Sequence, residues 1–162
     1  MSAKTTCPTA SFFEGFNKVR SNYRSIMAAV DYSYVSAKVL ERAILLSKVN
    51  CARLHIVHVV RTKLPLQSRQ TTAMDPSYKE VLLKDAATLF EVAGKKASEA
   101  GIEYVTMRLE GDPAEEIIRY ASENGIELIV VGNKEKPSTY APLGSVSSKV
   151  ATEAHCSVLI ER

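Results

Sequence analysis

A glycine-containing segment after an apolar run holds the residue types best suited to binding chemistry. Gly132-Asn133-Lys134-Glu135 directly follow the apolar run 127–131, and Leu143-Gly144-Ser145-Val146 begin a segment with helical periodicity. Glycine lets the backbone approach a ligand closely, and the N–H groups and dipole at a helix start attract negative charge. The segment therefore predicts a site for an anionic ligand, built from a strand, a glycine turn, a polar loop and a helix N-terminus.

A second candidate group stands near the start of the chain, where an apolar run ends in an acid. Asp31 follows Ala29-Val30 and precedes Tyr32-Ser33. A carboxylate at the carboxyl end of a buried strand lies where ligands collect in parallel α/β sheets. The alternative is that Asp31 only begins the turn into the next helix, together with Ser33 as the helix cap.

The elements that must position these residues alternate regularly between strand and helix patterns. Apolar β-branched runs predict strands, and apolar residues at helical spacing predict helices. Asp112 with Pro113 and Glu115 is typical of a capped helix start with a capping box. The predicted strands are 25–31, 53–60, 103–109, 126–131 and 157–161, and the predicted helices are 33–49, 78–100, 112–124 and 145–155.

This alternation predicts an α/β fold with a doubly wound, five-stranded parallel sheet. We expect the strand order 3-2-1-4-5, in which the strand order reverses between strands one and four. Ligands collect at the carboxyl ends of the strands at such a switch point. Asp31 and Gly132 would then flank the same crevice.

Composition limits the classes of function. The chain has 162 residues, 46% of them hydrophobic and 24% charged, which is typical of one globular domain. No apolar run is long enough to span a bilayer, and the N-terminus has no apolar signal segment, so we expect a cytoplasmic protein without a membrane contact. The formal charge of +3 falls entirely within residues 1–24. The rest is neutral, so we expect no nucleic-acid binding.

Residues 1–24 are predicted to form an N-terminal arm, and residues 25–162 the folded domain. The arm carries Phe12, Phe13 and Phe16 within five residues. Such an apolar arm is expected to dock, either on the domain itself or on a partner.

Several motifs, in this order, resemble the universal stress protein family over about residues 24–162. The similarity rests on four features: Ala29-Val30-Asp31-Tyr32-Ser33 after strand one; Leu54–Val60 in strand two; Glu110–Ile118 at the start of helix three; and Leu128–Gly132 with Gly144-Ser145-Val146 and Cys156–Ile160.

The resemblance implies a Rossmann-like, adenine nucleotide alpha hydrolase-like fold that binds ATP, ADP or AMP, with Mg²⁺ as a possible further ligand. It places Asp31 near the ribose and phosphates, the Val59 backbone against the adenine, and the loop around the phosphates. It also implies a homodimer through the C-terminal strand, acting in stress response as a sensor or switch. The implied nucleotide-binding residues are Ala29, Val30, Asp31, Ser33, Val59, Gly132, Lys134, Gly144, Ser145 and Val146.

The chain departs from the family's nucleotide-binding loop at its middle glycine. Glu135 stands there, and eight residues rather than nine separate it from Gly144. A carboxylate repels phosphate, although Lys134 and Lys136 flank it. Two alternatives to a nucleotide-binding sensor therefore stay open: a nucleotide-free dimeric interaction module and a weak ATPase. No nucleophile with a neighbouring general base is recognisable, so no catalytic residue is predicted.

Overall fold

A computed structural model describes residues 22–61, 76–133 and 143–162. The predicted features of residues 1–21, 62–75 and 134–142, Lys134 and Glu135 included, lie outside these ranges. Within the described ranges, nine elements follow in chain order. They are β1 Ser25–Ala29, α1 Tyr34–Asn50, β2 Arg53–Val60, α2 Pro76–Glu99, β3 Tyr104–Glu110, α3 Pro113–Glu123, β4 Leu128–Gly132, α4 Ser145–Glu153 and β5 Ser157–Glu161.

The five strands form one parallel sheet with the order β3-β2-β1-β4-β5, which confirms the predicted fold class and strand order. Ala29 lies opposite Val57 of β2 and Val131 of β4 in the register. The carboxyl ends of β1, β2 and β4 therefore meet at one edge of the sheet, on either side of the point where the strand order reverses.

Each face of the sheet packs against two of the described helices. On one face, α1 and α2 cover a cluster that contains Ile26, Val39, Leu54 and Ala97. On the other face, α3 and α4 cover a cluster that contains Met27, Ile117, Ile129 and Val150. Successive residues of β1 enter opposite clusters because side chains alternate along a strand. Among the described residues, none of the four helices is both long enough and apolar enough to cross a bilayer.

Helix α3 begins as predicted, except for one contact. Asp112 is the N-cap, Pro113 follows it, and the backbone N–H of Glu115 donates to the Asp112 side chain at 3.1 Å. The Glu115 carboxylate instead accepts from Lys149 Nζ at 3.0 Å. This ion pair joins α3 to α4.

Two strand boundaries differ from prediction in a way that shapes the site. β1 ends at Ala29 rather than at residue 31. The Val30 N–H still donates to the Val57 carbonyl at 2.9 Å, but Asp31 has already turned away from the sheet. β4 extends to Gly132, one residue further than predicted. The sheet edge is therefore stepped, with β2 projecting beyond β1.

Candidate functional site

A cavity of about 160 Å³ lies at this stepped edge, between the carboxyl ends of β1, β2 and β4. The N-terminal parts of α3 and α4 form its sides. The predicted residues that line it are Ala29, Val30, Asp31, Ser33, Val59, Gly132 and Val146. Further lining residues that the sequence reasoning did not select are Ser36, Val57, Arg61, Pro113, Ile117, Val131 and Asn133.

Asp31 is held by the first turn of α1. Its Oδ1 accepts from the backbone N–H of Ser33 at 2.9 Å and from the Ser36 hydroxyl at 2.6 Å. The backbone N–H of Asp31 donates to the same Ser36 oxygen at 2.7 Å. Ser33 is the N-cap of α1, but its side chain makes no capping hydrogen bond. The carboxylate of Asp31 therefore fixes the turn, with Ser36 as its partner.

These bonds determine the charge of Asp31. Burial alone would raise its pKa, but hydrogen bonds from Ser33 and Ser36, together with the nearby His58, hold the pKa below the ordinary value of 3.8. The residue is therefore an anion at neutral pH. The cavity wall also includes Arg61, the one cationic side chain among the described residues that line it.

The backbone N–H and C=O groups of Val59 point toward the cavity. In β2, the N–H of Arg53 donates to the carbonyl of Arg24, so the backbone groups of odd-numbered residues face β1. Val59 is such a residue, and it extends two positions past Val57, where the pairing with β1 ends. An N–H donor and a C=O acceptor, two residues beyond the last pair of the ladder, therefore point into the space that β1 leaves.

Two buried histidines support β2 rather than line the cavity. His58 Nδ1 lies 2.9 Å from the Val30 carbonyl, which only accepts, so Nδ1 carries the proton. His55 Nδ1 lies 2.9 Å from the Tyr120 hydroxyl. Burial lowers the pKa of His55, and the charge of Arg53 lowers it further. His58 thus fixes the carbonyl of the residue directly before Asp31.

Gly132 has a packing role that the sequence reasoning did not anticipate. A Cβ at this position would lie 3.0 Å from Val35 Cγ1 and 3.4 Å from Val39 Cγ2. The missing side chain therefore lets β4 pack closely against α1. The same close packing brings the Gly132 backbone to the cavity wall.

Asn133 connects the two ends of the glycine loop. It is buried, directly after β4, and its Oδ1 accepts from the backbone N–H of Gly144 at 2.9 Å. Its own N–H donates to the Glu161 carbonyl at 2.8 Å. The sequence offered one signal for it, a polar residue at the end of a buried strand near the switch point.

Helix α4 begins at Ser145, as predicted. Gly144 is its N-cap, and as a glycine it has no side chain to cap the helix. Ser145 is the first helical residue and is exposed, whereas Val146 lines the cavity. Because the first N–H groups of a helix have no partner within it, this end of α4 presents donors to an anion.

As far as its lining residues are described, the site therefore combines backbone donors and acceptors, one carboxylate and one guanidinium. Within residues 22–61, 76–133 and 143–162, no group of three or more His, Cys, Asp or Glu side chains is arranged to hold a metal ion. The arrangement suits a ligand with an apolar, hydrogen-bonding ring at β2 and an anionic group at α4.

Sequence comparison finds relatives along nearly the whole described chain. The model of the universal stress protein family matches residues 22–162. The universal stress protein YxiE of Bacillus subtilis is 36% identical over 148 residues, which cover 86% of this chain and 99% of the relative.

Solved structures agree with this match. The universal stress protein UspA from Lactobacillus plantarum has a TM-score of 0.73 at 26% identity, over 88% of this chain and all of the other. The Archaeoglobus fulgidus protein in complex with dAMP has a TM-score of 0.62 at 22% identity, over 86% of this chain and 98% of the other. A family member from Arabidopsis thaliana with AMP bound has a TM-score of 0.59 at 19% identity, over 85% and 90%. The last two show the shared fold. Because the family model covers nearly all of the chain, the protein belongs to the universal stress protein family.

Proposed function

We propose that the protein binds an adenine nucleotide in the cavity between β1, β2 and β4 and acts as a sensor or switch. The observation that carries the proposal is the pair of backbone groups of Val59, directed into the space beyond the end of β1. An adenine offers an adjacent donor and acceptor on its edge. The dAMP and AMP complexes of proteins with the same fold support the choice of ligand.

The phosphates would lie at the other end of the cavity. Gly132 and Val146 line that end, and the start of α4 brings N–H donors and the positive end of a helix dipole. The bond between Asn133 and Gly144 holds this helix start at the end of β4. Asp31 stands between the two ends and would accept from ribose hydroxyls.

A magnesium ion would bind together with the nucleotide rather than before it. Asp31 is the one carboxylate among the described lining residues. Mg²⁺ usually binds through one or two carboxylates together with phosphate oxygens and water. We therefore expect ATP to bring Mg²⁺ to Asp31, and AMP to bind without it.

The protein would form a homodimer through β5. Among the residues that the structure describes, this strand lies at the edge of the sheet and pairs with β4 alone. The N–H of Ser157 donates to Glu127, so the backbone groups of Val158 and Ile160 point away from β4. An unpaired strand edge is a template for a second copy.

The first experiment denatures freshly purified protein and identifies the released small molecules by mass spectrometry. Near-stoichiometric adenine nucleotide is the expected result. An empty protein that also gives no calorimetric signal with AMP, or with ATP and Mg²⁺, would contradict nucleotide binding and favour a nucleotide-free interaction module.

Paired variants then assign the binding to this cavity. Val146→Asp places a carboxylate at the cavity wall and is expected to abolish binding. Ser148→Asp adds the same charge two residues further along α4, at an exposed position outside the cavity lining, and serves as the matched control. Equal loss in both variants would point to a general charge effect instead of a site.

A further inference from the structure

A second cavity, of about 310 Å³, lies between α1 and α2 on the opposite side of Asp31. Its walls are mainly apolar, and they include Tyr32, Leu40, Leu89, Val92 and Ala93. Tyr32 and Val92 expose 56% and 55% of their surfaces. We call this cavity the α1–α2 groove. Exposed apolar patches that lie together in this way are typical of contact surfaces.

The N-terminal arm enters the fold on the same layer as this groove. Tyr23, which directly follows the first described residue, is half-buried against the core cluster under α1 and α2. Its backbone N–H donates to Oδ1 of Asn50, the last residue of α1, at 3.2 Å. The preceding residues therefore start beside the C-terminal end of α1.

The arm is long enough to reach the groove from this point. The groove residue Leu40 lies ten positions before Asn50 in α1, which is about 15 Å at 1.5 Å per residue. Six extended residues, from Asn22 back to Phe16, span about 20 Å, and Phe12 reaches further. The arm is thus long enough to bring its three phenylalanines alongside the groove.

We propose that the segment Phe12–Phe16 docks in the α1–α2 groove of its own chain. Each aromatic side chain buries about 150 to 250 Å² when it packs, so burial of the three rings would stabilise the docked arm. The groove supplies matching apolar surface at Tyr32 and Val92. The arm would then cover the outer side of the turn that holds Asp31.

Limited digestion with chymotrypsin tests this contact in the full chain, because the enzyme cuts after the same three phenylalanines. Val92→Glu places a charge in the groove and is expected to speed cleavage at Phe12, Phe13 and Phe16 on the order of tenfold, since digestion follows the population of undocked arm. Val81→Glu is the matched control, because Val81 is on the same helix, 54% exposed, and outside the groove.

Equal cleavage rates in the parent protein and Val92→Glu would overturn the proposal, as would equal acceleration by Val81→Glu. Circular dichroism checks that both variants are folded. The digestion is repeated over a hundredfold range of protein concentration. Protection that does not change supports docking within one chain, whereas protection lost on dilution would show that a second copy provides the arm and would overturn docking in the same chain.

An NMR comparison gives a second, independent test. Replacing the three phenylalanines with serine in the arm leaves every described residue unchanged. Amide shifts are expected at Ala37, Leu40 and Ala93, and none at Ile117 on the opposite face of the sheet. Unchanged shifts along the groove would contradict docking.

Discussion

The side chain of Asn133 accepts a hydrogen bond from the backbone N–H of Gly144 at 2.9 Å, across eleven positions of the chain. Asn133 is also joined to β5 through its own N–H. Through its side chain and its backbone N–H, this one buried residue links the end of β4 to the start of α4 and to the edge strand. The Asn133–Gly144 bond thus ties the start of α4 to the end of β4, beside the cavity.

Asn133→Ala is expected to weaken nucleotide binding more than it destabilises the fold. The variant removes the acceptor of the Gly144 N–H, and a hydrogen bond of this kind contributes about 1 kcal/mol to the free energy of unfolding. The freed helix start would no longer present its donors at a fixed place. Urea unfolding and calorimetric titration with AMP measure the two effects.

Asn124→Ala provides the control for this comparison. Asn124 Nδ2 donates to the carbonyl of Tyr120 at 2.9 Å, at the end of α3 and away from the cavity. This variant should lose similar stability and keep its affinity for AMP. If both variants retain full affinity, Asn133 does not position the anion site.

Gly132→Ala is expected to destabilise the protein through packing rather than through backbone strain. The added Cβ would lie 3.0 Å from Val35 Cγ1. Overpacking of a core costs about 1 to 3 kcal/mol. The loss of stability in the double variant Gly132→Ala with Val35→Ala should be smaller than the sum of the two single losses. Urea unfolding of the single and double variants measures this difference as a coupling energy. Additive losses would show that the contact with Val35 is not the cause.

The fold was predictable because hydrophobic periodicity and turn residues act locally. β2 and β5 have the predicted bounds, and Asp112 caps α3 as its sequence indicates. The end of β1 was not predictable from an apolar run, since Val30 continues the pattern but has no partner in β4. The pairing register, which is a tertiary property, decides where a strand ends.

Site residues could be predicted from the sequence only where the residue type and its place at a strand end were informative by themselves. Asp31 and Gly132 stand at strand ends and were selected for that reason. Asn133 and Ser36 act through side-chain bonds to residues that are distant or on the next turn, and a single sequence does not show which bonds form. The packing of Gly132 against Val35 likewise required the positions of two elements.

Stability is expected to fall in acid partly through Asp31. Its folded pKa lies below the ordinary value of 3.8, so the charged form is favoured in the native state. The resulting stabilisation is complete above about pH 5 and is lost as the pH falls through 3.8 to the folded pKa. The difference in free energy of unfolding between the parent protein and Asp31→Asn should therefore shrink between pH 5 and pH 3.

Urea unfolding at several pH values measures this difference. Ser36→Ala removes one of the bonds that lower the pKa of Asp31, so its profile should lie between those of the parent and Asp31→Asn. A difference that stays constant from pH 7 to pH 3 would show that the bonded carboxylate does not favour the folded state.

The edge strand β5 gives a prediction about the proposed dimer that does not depend on nucleotide. Within one protomer, the backbone N–H groups of Val158 and Ile160 point away from β4, so they should exchange with solvent rapidly in a monomer. In a dimer paired through β5 they become protected.

Light scattering should then give about twice the chain mass of 17.8 kDa. Hydrogen exchange should slow at these two amides as protein concentration rises, while Leu159, which faces β4, stays protected throughout. A doubled mass with rapid exchange at Val158 and Ile160 would place the contact on another surface, because pairing through this edge cannot leave both amides open to water.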